Sequence, residues 1–206
     1  MAVDEWLLSL GKPILRVYQW KGEWGSLGYF GSLSAAQSSF PEINQWVRRW
    51  TGGGTVDHRS DWPYTLVMPS TGDDQRLGGA ESYRSIHQAL AEAIGPEGLE
   101  VKLSGGEAET GHASCFDNPV THDLVDGSAH KIAGAGQKRT QDGLLHQGSV
   151  ALPVASPEQS RTRAQRLAEA LSGGAWSEVS FEVPAEAIEE ATNERYGQDP
   201  WTQRRP

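Results

Sequence analysis

The chain has 206 residues, 37% hydrophobic and 22% charged, which is a globular composition and neither a disordered nor a membrane one. With 27 acids against 18 bases and a net charge of -9, it is a poor candidate for binding nucleic acid by phosphate neutralisation. The single cysteine excludes a disulfide framework and a thiolate metal cage, and no apolar run approaches the roughly 18 residues of a membrane span. The acidic start Met1-Ala-Val-Asp-Glu is unlike a signal peptide, so a cytoplasmic protein is expected, with one domain over residues 1–206.

In chain order, Val3 to Leu10 reads as a helix stopped by Gly11 and Pro13. Ile14 to Tyr18 and Ser26 to Phe30 read as strands, with Gly22 and Gly25 flanking the turn between them. Trp46 to Trp50 alternates like a strand and runs into Gly52-Gly53-Gly54, and Trp62 to Met68 is a further strand. Tyr83, Ile86, Leu90 and Ile94 fall on one helical face, and Gly95-Pro96 ends that helix. Leu99 to Leu103 alternates as a strand, and the Gly-rich stretch Ser104 to Ser114 reads as a mobile loop. Asp123 to Asp126 and His130 to Ala133 are predicted short strands, and Leu144 to Leu152 is a longer one after the Asp142-Gly143 turn signal. Ser156-Pro157-Glu158-Gln159 has the pattern of an N-cap, a first-turn proline and a capping-box residue; Ala164, Leu167, Ala168 and Leu171 follow as a stripe closed by Gly173-Gly174. Pro184 to Arg195 predicts a last helix. The whole reads as α+β, a mixed and mostly antiparallel sheet with helices packed to one side.

Several residues invite chemistry. Gly52, Gly53 and Gly54 expose backbone N–H groups that can cradle a phosphate or carbonyl oxygen, or they form a plain turn. Arg48 and Arg49 precede them, and on a strand only one of the two can face inward. Lys131 is a lone cation among small and apolar residues, suited to holding a carboxylate or thioester oxygen as a point charge, or to snorkelling from an edge strand. Cys115 is either a small buried hydrophobe or a nucleophile, and the second role needs a cation or base such as Lys131, His58 or His146. His146 lies in a strand, as a satisfied core histidine or a site residue. The six histidines show no HExxH and no paired ligand spacing, so no metal site is expected. Trp6, Trp46, Trp176 and Trp201 read as core, whereas Trp20, Trp24, Trp50 and Trp62 flank the candidate segments and can wall an apolar pocket.

Together these segments resemble the lipoate–protein ligase and octanoyltransferase family, which shares its catalytic fold with biotin protein ligases. Val47-Arg-Arg-Trp-Thr-Gly-Gly-Gly-Thr-Val-Asp-His58 is similar to the family's Arg-Arg-x-x-Gly-Gly-Gly-x-Val-x-His signature. Asp123-Leu-Val, Lys131-Ile-Ala-Gly134-Ala-Gly-Gln-Lys-Arg139 and Leu145-His146-Gln-Gly-Ser149 resemble its Lys-centred hairpin. Met1 to Glu5 resembles its opening helix, Leu15 to Trp20 with Ser26 to Phe30 its first hairpin, and Tyr196, Trp201 and Arg204 its closing tail. The family has a strand ahead of its opening helix, so the resemblance leaves open a missing edge strand or a misassigned start.

The resemblance implies octanoyl or lipoyl transfer to a lysine of an apo lipoyl domain or a glycine-cleavage H-type protein. It implies Cys115 and Lys131 as catalytic residues and Arg48, Arg49, Gly52, Gly53, Gly54, His58, Asp123, Gly134 and His146 as substrate-binding ones. One class of octanoyltransferases takes its acyl group from acyl carrier protein through a cysteine in a Cys-Phe-Asp-x-Pro segment, which Cys115-Phe-Asp-Asn-Pro119 matches. That reaction needs no cofactor. The alternative is a ligase that activates free lipoate or octanoate with ATP and Mg²⁺, and a third reading is a non-catalytic acyl or carrier-protein binding module. The family often has His-Asp after its glycine loop, where this chain has His58-Arg59, with Asp61 two residues further on.

Overall fold

A computed structural model of the chain describes residues 1–70, 78–106, 118–154, 156–180 and 182–204. It contains α1 (Ala2–Ser9), β1 (Ile14–Val17), β2 (Trp24–Leu27), α2 (Leu33–Ser39), β3 (Gln45–Arg48), β4 (Val56–Asp57), β5 (Trp62–Pro69) and α3 (Gly79–Ile94). These are followed by β6 (Val101–Leu103), β7 (Leu124–Asp126), β8 (Lys131–Arg139), β9 (Gly143–Val150), α4 (Pro157–Ser172), α5 (Ala185–Ala191) and α6 (Asp199–Gln203).

A six-stranded antiparallel sheet runs β1-β5-β9-β8-β7-β6, and a three-stranded sheet runs β3-β2-β4 with β2 and β3 parallel. The α+β class with a mixed, mostly antiparallel sheet therefore stands. The predicted β1–β2 hairpin does not form: β1 pairs with β5, and β2 joins the other sheet. The helices are not confined to one side either. Alternation along β5 sends Trp62, Tyr64 and Leu66 into a core with Ile86 and Leu90 of α3 and Leu167 of α4. Val67 points the other way, against Leu7 and Leu8 of α1 and Leu145 of β9. A strand covered on both faces carries no polar face, which explains the near-continuous apolar run of β5.

The local signals explain most boundaries. Ser156 Oγ accepts from Gln159 N at 3.1 Å, Pro157 opens α4, and Gly173 closes it. Gln159 also donates to Glu97, which in turn pairs with the buried Arg163 of α4. α2 is absent from the sequence prediction because its stretch has no apolar period; only its cap, Ser32 accepting from Ala35 N, marks it. The short predicted strand His130 to Ala133 is the start of a nine-residue strand, β8, whose glycines mask its β character. The helix predicted over Pro184 to Arg195 ends as α5 at Ala191 and passes through a π-helical turn, Thr192–Tyr196, before α6.

Candidate active site

Two backbone segments meet to form the site: the glycine loop after β3 and the glycine-bearing stretch of β8. Cross-strand pairing puts Gly134, Gly136, Gln147 and Ser149 on the α1 face of the sheet and Ala133, Ala135, Gln137 and His146 on the helix face. A side chain at Gly136 would collide with the carbonyl of Gly52, and one at Gly28, just past β2, would collide with that of Gly53. The loop is thus clamped between two strands at a separation only glycine permits. Gly52 N bonds Gln137 O at 3.4 Å, Tyr29 N bonds Thr51 O at 2.8 Å, and Gly53 adopts φ +91°. The cleft so formed is lined by Tyr18, Arg49, Gly53, His58, Gly134 and Gln147 among others, with about 20 Å³ of free space. That is room for about one water.

Lys131 stands at one end. Opposite Leu124 and Val125, β8 carries an extra residue between Lys131 and Ala133, a bulge that re-aims the lysine. Its side chain folds back over Gly134, where any side chain would displace the ammonium group. Lys131 Nζ pairs with Asp123 Oδ2 at 2.6 Å, and both side chains are almost fully buried. Asp123 is itself fixed by Val120 N at 2.8 Å and by the phenol of Tyr83 at 2.5 Å. Tyr83 Oη also accepts from Ala135 N at 2.8 Å, covering the β8 edge where β7 has ended. The ammonium therefore has a fixed direction rather than the freedom of a surface lysine.

At the other end, Arg49 donates to Ser26 Oγ at 2.5 Å and to the carbonyls of Gly54 at 2.7 Å and Gly52 at 3.3 Å. His58 bridges Ser26 Oγ at 2.6 Å and Asp61 Oδ2 at 2.7 Å, with Trp20 stacked on it at 4.5 Å. Beneath the loop, Thr51 bonds Gln147, and Gln147 bonds the buried Asp4, both at 2.8 Å. Burial pushes the Asp4 carboxyl up, but the N-terminal ammonium and Arg16, at 2.7 Å, outweigh it and hold it below the ordinary range.

The predicted residues separate accordingly. Arg49, Gly53, His58 and Gly134 line the cleft, Gly52 and Gly54 build its loop, and Lys131 and Asp123 sit beside it. Arg48 does not line it. Both arginines are buried because Arg49 lies past the end of the strand, so alternation does not separate them as expected. Arg48 instead donates to the carbonyls of Gly28, Tyr29, Gly31, Trp201 and Thr202 at 2.6–3.2 Å, tying the C-terminal tail to the body. His146 faces the helix core, bonded to Tyr64 and Gln137 at 3.1 Å, and burial holds it well below the usual imidazole range. Trp62 is core rather than pocket wall, and Trp176 is 38% exposed rather than core. Cys115 and most of the predicted loop from Ser104 lie outside the described residues. Ser26, Tyr83, Gln147 and Ser149 were not singled out as site residues from the sequence, and Asp61 was marked only by its place after His58-Arg59. The period of two along β9 was the available signal for Gln147 and Ser149, since both sit opposite in phase to His146.

The family described as lipoyl protein ligase A/B catalytic domain matches residues 1–171. An octanoyltransferase LipM of Symbiobacterium thermophilum is 30% identical over 174 residues, covering 76% of this chain and 62% of that protein. One from Halalkalibacterium halodurans is 31% identical over 170 residues, with coverage of 75% and 61%. The chain thus spans about three fifths of the length of these relatives. Among solved structures, a putative lipoate protein ligase of T. acidophilum with bound lipoic acid aligns at a TM-score of 0.75 and 20% identity, over 98% of this chain and 92% of that one. A lipoate-protein ligase A bound with ATP aligns at 0.74 and 17%, with the same coverage. At these identities the structures speak for the fold.

Proposed function

The chain belongs to the lipoyl protein ligase A/B catalytic-domain family, and we propose that it is an octanoyl- or lipoyltransferase acting through a thioester on Cys115. The observation that carries this reading is the buried, directed ammonium of Lys131 beside a glycine-walled cleft. The Cys115-Phe-Asp-Asn-Pro119 segment and the octanoyltransferase names of the relatives favour a thioester donor over free acid plus ATP.

In the proposed sequence the Cys115 thiolate attacks the thioester carbonyl of an acyl carrier protein. Negative charge develops on the carbonyl oxygen, where the Lys131 ammonium stabilises it. The tetrahedral species collapses, the carrier leaves as a thiolate that takes up a proton, and the acyl group remains on Cys115. The neutral amine of a lysine on an apo lipoyl domain or glycine-cleavage H-type protein then attacks. An amide forms, the Cys115 thiolate is released, and the amine gives up a proton. Exchange of one thioester for another is close to isoenergetic, so no ATP is consumed. The free thiol this requires suits a reducing cytoplasm, and among the described residues no helix is long and apolar enough to cross a membrane. We read residues 1–206 as one catalytic unit, because Arg48 and Trp201 join the tail to the loop region.

The test is intact-protein mass after exposure to octanoyl carrier protein, followed by addition of apo lipoyl domain, with and without ATP and Mg²⁺. An octanoyl adduct on Cys115, lost in Cys115→Ala, with ATP-independent transfer is expected. Product only from free acid plus ATP would replace the proposal by ligase chemistry, and no product from any donor would leave a binding module.

A further inference from the structure

Ser26, His58 and Asp61 are hydrogen-bonded in the order of a hydrolase triad. Asp61 Oδ2 accepts from His58 Nδ1 at 2.7 Å and, in a short contact, from Ser149 Oγ. In the tautomer whose Nδ1–H donates to the carboxylate, Nε2 is an acceptor, and the Ser26 hydroxyl donates to it at 2.6 Å. The order does not make Ser26 a nucleophile. The residue is fully buried, and its oxygen is already taken by Arg49 at 2.5 Å. What the chain of bonds does have is a single direction, from the carboxylate of Asp61 through the imidazole and hydroxyl to the Arg49 guanidinium. Arg49 then holds Gly54 O at 2.7 Å and Gly52 O at 3.3 Å, one carbonyl at each end of the glycine loop.

From this geometry we infer that Asp61 and Ser26 are positioning residues: acting through His58 and Arg49, they hold the glycine loop in the shape on which the acyl donor lies. Every member from Ser26 to Ser149 is buried, so the bonds are not exchanged with water. Arg59, which occupies the place directly after His58, is not part of it; it turns outward to Asp57 and Glu42, each at 2.6 Å. The acid that orients His58 thus arrives from the start of β5, and Ser149 of β9 fastens it to the central sheet.

The inference rests on the acyl-transfer reading, so its test carries a readout that does not need activity. In Ser26→Ala the His58–Asp61 contact survives but the link to Arg49 is cut, and the loss of volume is one oxygen. Amide hydrogen exchange of the peptide spanning Gly52–Gly54 should then accelerate about 10-fold or more. With octanoyl carrier protein as donor, KM should rise about 10-fold while kcat stays within about threefold, the split expected when a seat rather than a reacting group is disturbed. A second pair of variants guards against misfolding. His58→Gln keeps an acceptor near the Nε2 position, whereas His58→Asn keeps only the contact with Asp61. The relay predicts slower loop exchange and lower KM in His58→Gln than in His58→Asn; a purely structural His58–Asp61 clasp predicts the reverse. Unchanged loop exchange in Ser26→Ala, or the reversed order of the histidine variants, would overturn the inference. Accelerated exchange in a chain that transfers no acyl group would keep the relay and dispose of the acyl-transfer reading alone.

Discussion

Removing the carboxylate of Asp123 is the sharpest probe of the site's electrostatics. Asp123→Ala leaves the Lys131 ammonium buried without the carboxylate that sits 2.6 Å away. It also strips Val120 N of its acceptor and takes from the Tyr83 phenol the carboxylate oxygen it donates to at 2.5 Å. Taking one partner from a buried ion pair typically costs about 3–5 kcal/mol. In a chain of this length each kcal/mol moves the unfolding midpoint by about 2–4 °C, so the loss corresponds to roughly 6–20 °C. The double variant Asp123→Ala/Lys131→Met removes both charges and fills part of the space with an apolar chain, and should recover most of that stability. Urea unfolding of wild type, both single variants and the double variant at pH 7 closes the thermodynamic cycle. The reasoning fails if Asp123→Ala lies within about 1 kcal/mol of wild type, or if the double variant is no more stable than Asp123→Ala.

Two further outcomes are expected. Arg48→Met leaves five backbone carbonyls without their shared donor, so limited proteolysis should cut within residues 182–204 faster by tenfold or more, and Arg48→Lys should not restore protection because an ammonium cannot span the five; digestion at the wild-type rate would refute it. Burial pushes His87 down to about 4 against the pull of Asp123, so the unfolded chain binds the extra proton between pH 6.5 and about 4. Its contribution is intact above pH 6.5 and is lost as pH falls, at about 1.4 kcal/mol per unit, and His87→Gln should flatten the pH 7 to 5 difference in urea stability; an unchanged slope would count against it.

The sequence made the apolar elements legible because their periods are local facts. α3 and α4 show a helical stripe with stop signals, β5 is a near-continuous apolar run, and β9 follows the Asp142-Gly143 turn signal. The glycine loop and the Lys131 strand were legible through resemblance, since nothing local tells a clamped glycine from a free turn. What stayed hidden depends on which partner a strand finds. β1 and β2 look like a hairpin, yet they separate into two sheets because β5 offers β1 a partner with both faces covered. Arg48 and Arg49 look interchangeable until the tail supplies Trp201 and Thr202 for one and Ser26 and the loop carbonyls for the other. Asp61 stood out only as an acid two residues past Arg59; its bonding was hidden for the same reason, because it comes from His58 turning to a residue three positions on and from Ser149 arriving from a distant strand.

The strand order also dictates when the site can come into being. β9 lies between β5 and β8, and its residues pair with β5 partners more than seventy positions earlier in the chain. During synthesis, β5 must wait with one long apolar edge unpaired until the stretch to Val150 has left the ribosome. Such non-local pairing slows folding and exposes a template for aggregation. Gln147, Gly148 and Ser149 of β9 form one wall of the cleft, so a nascent chain halted before β9 would hold every glycine of the loop and still have no complete cleft.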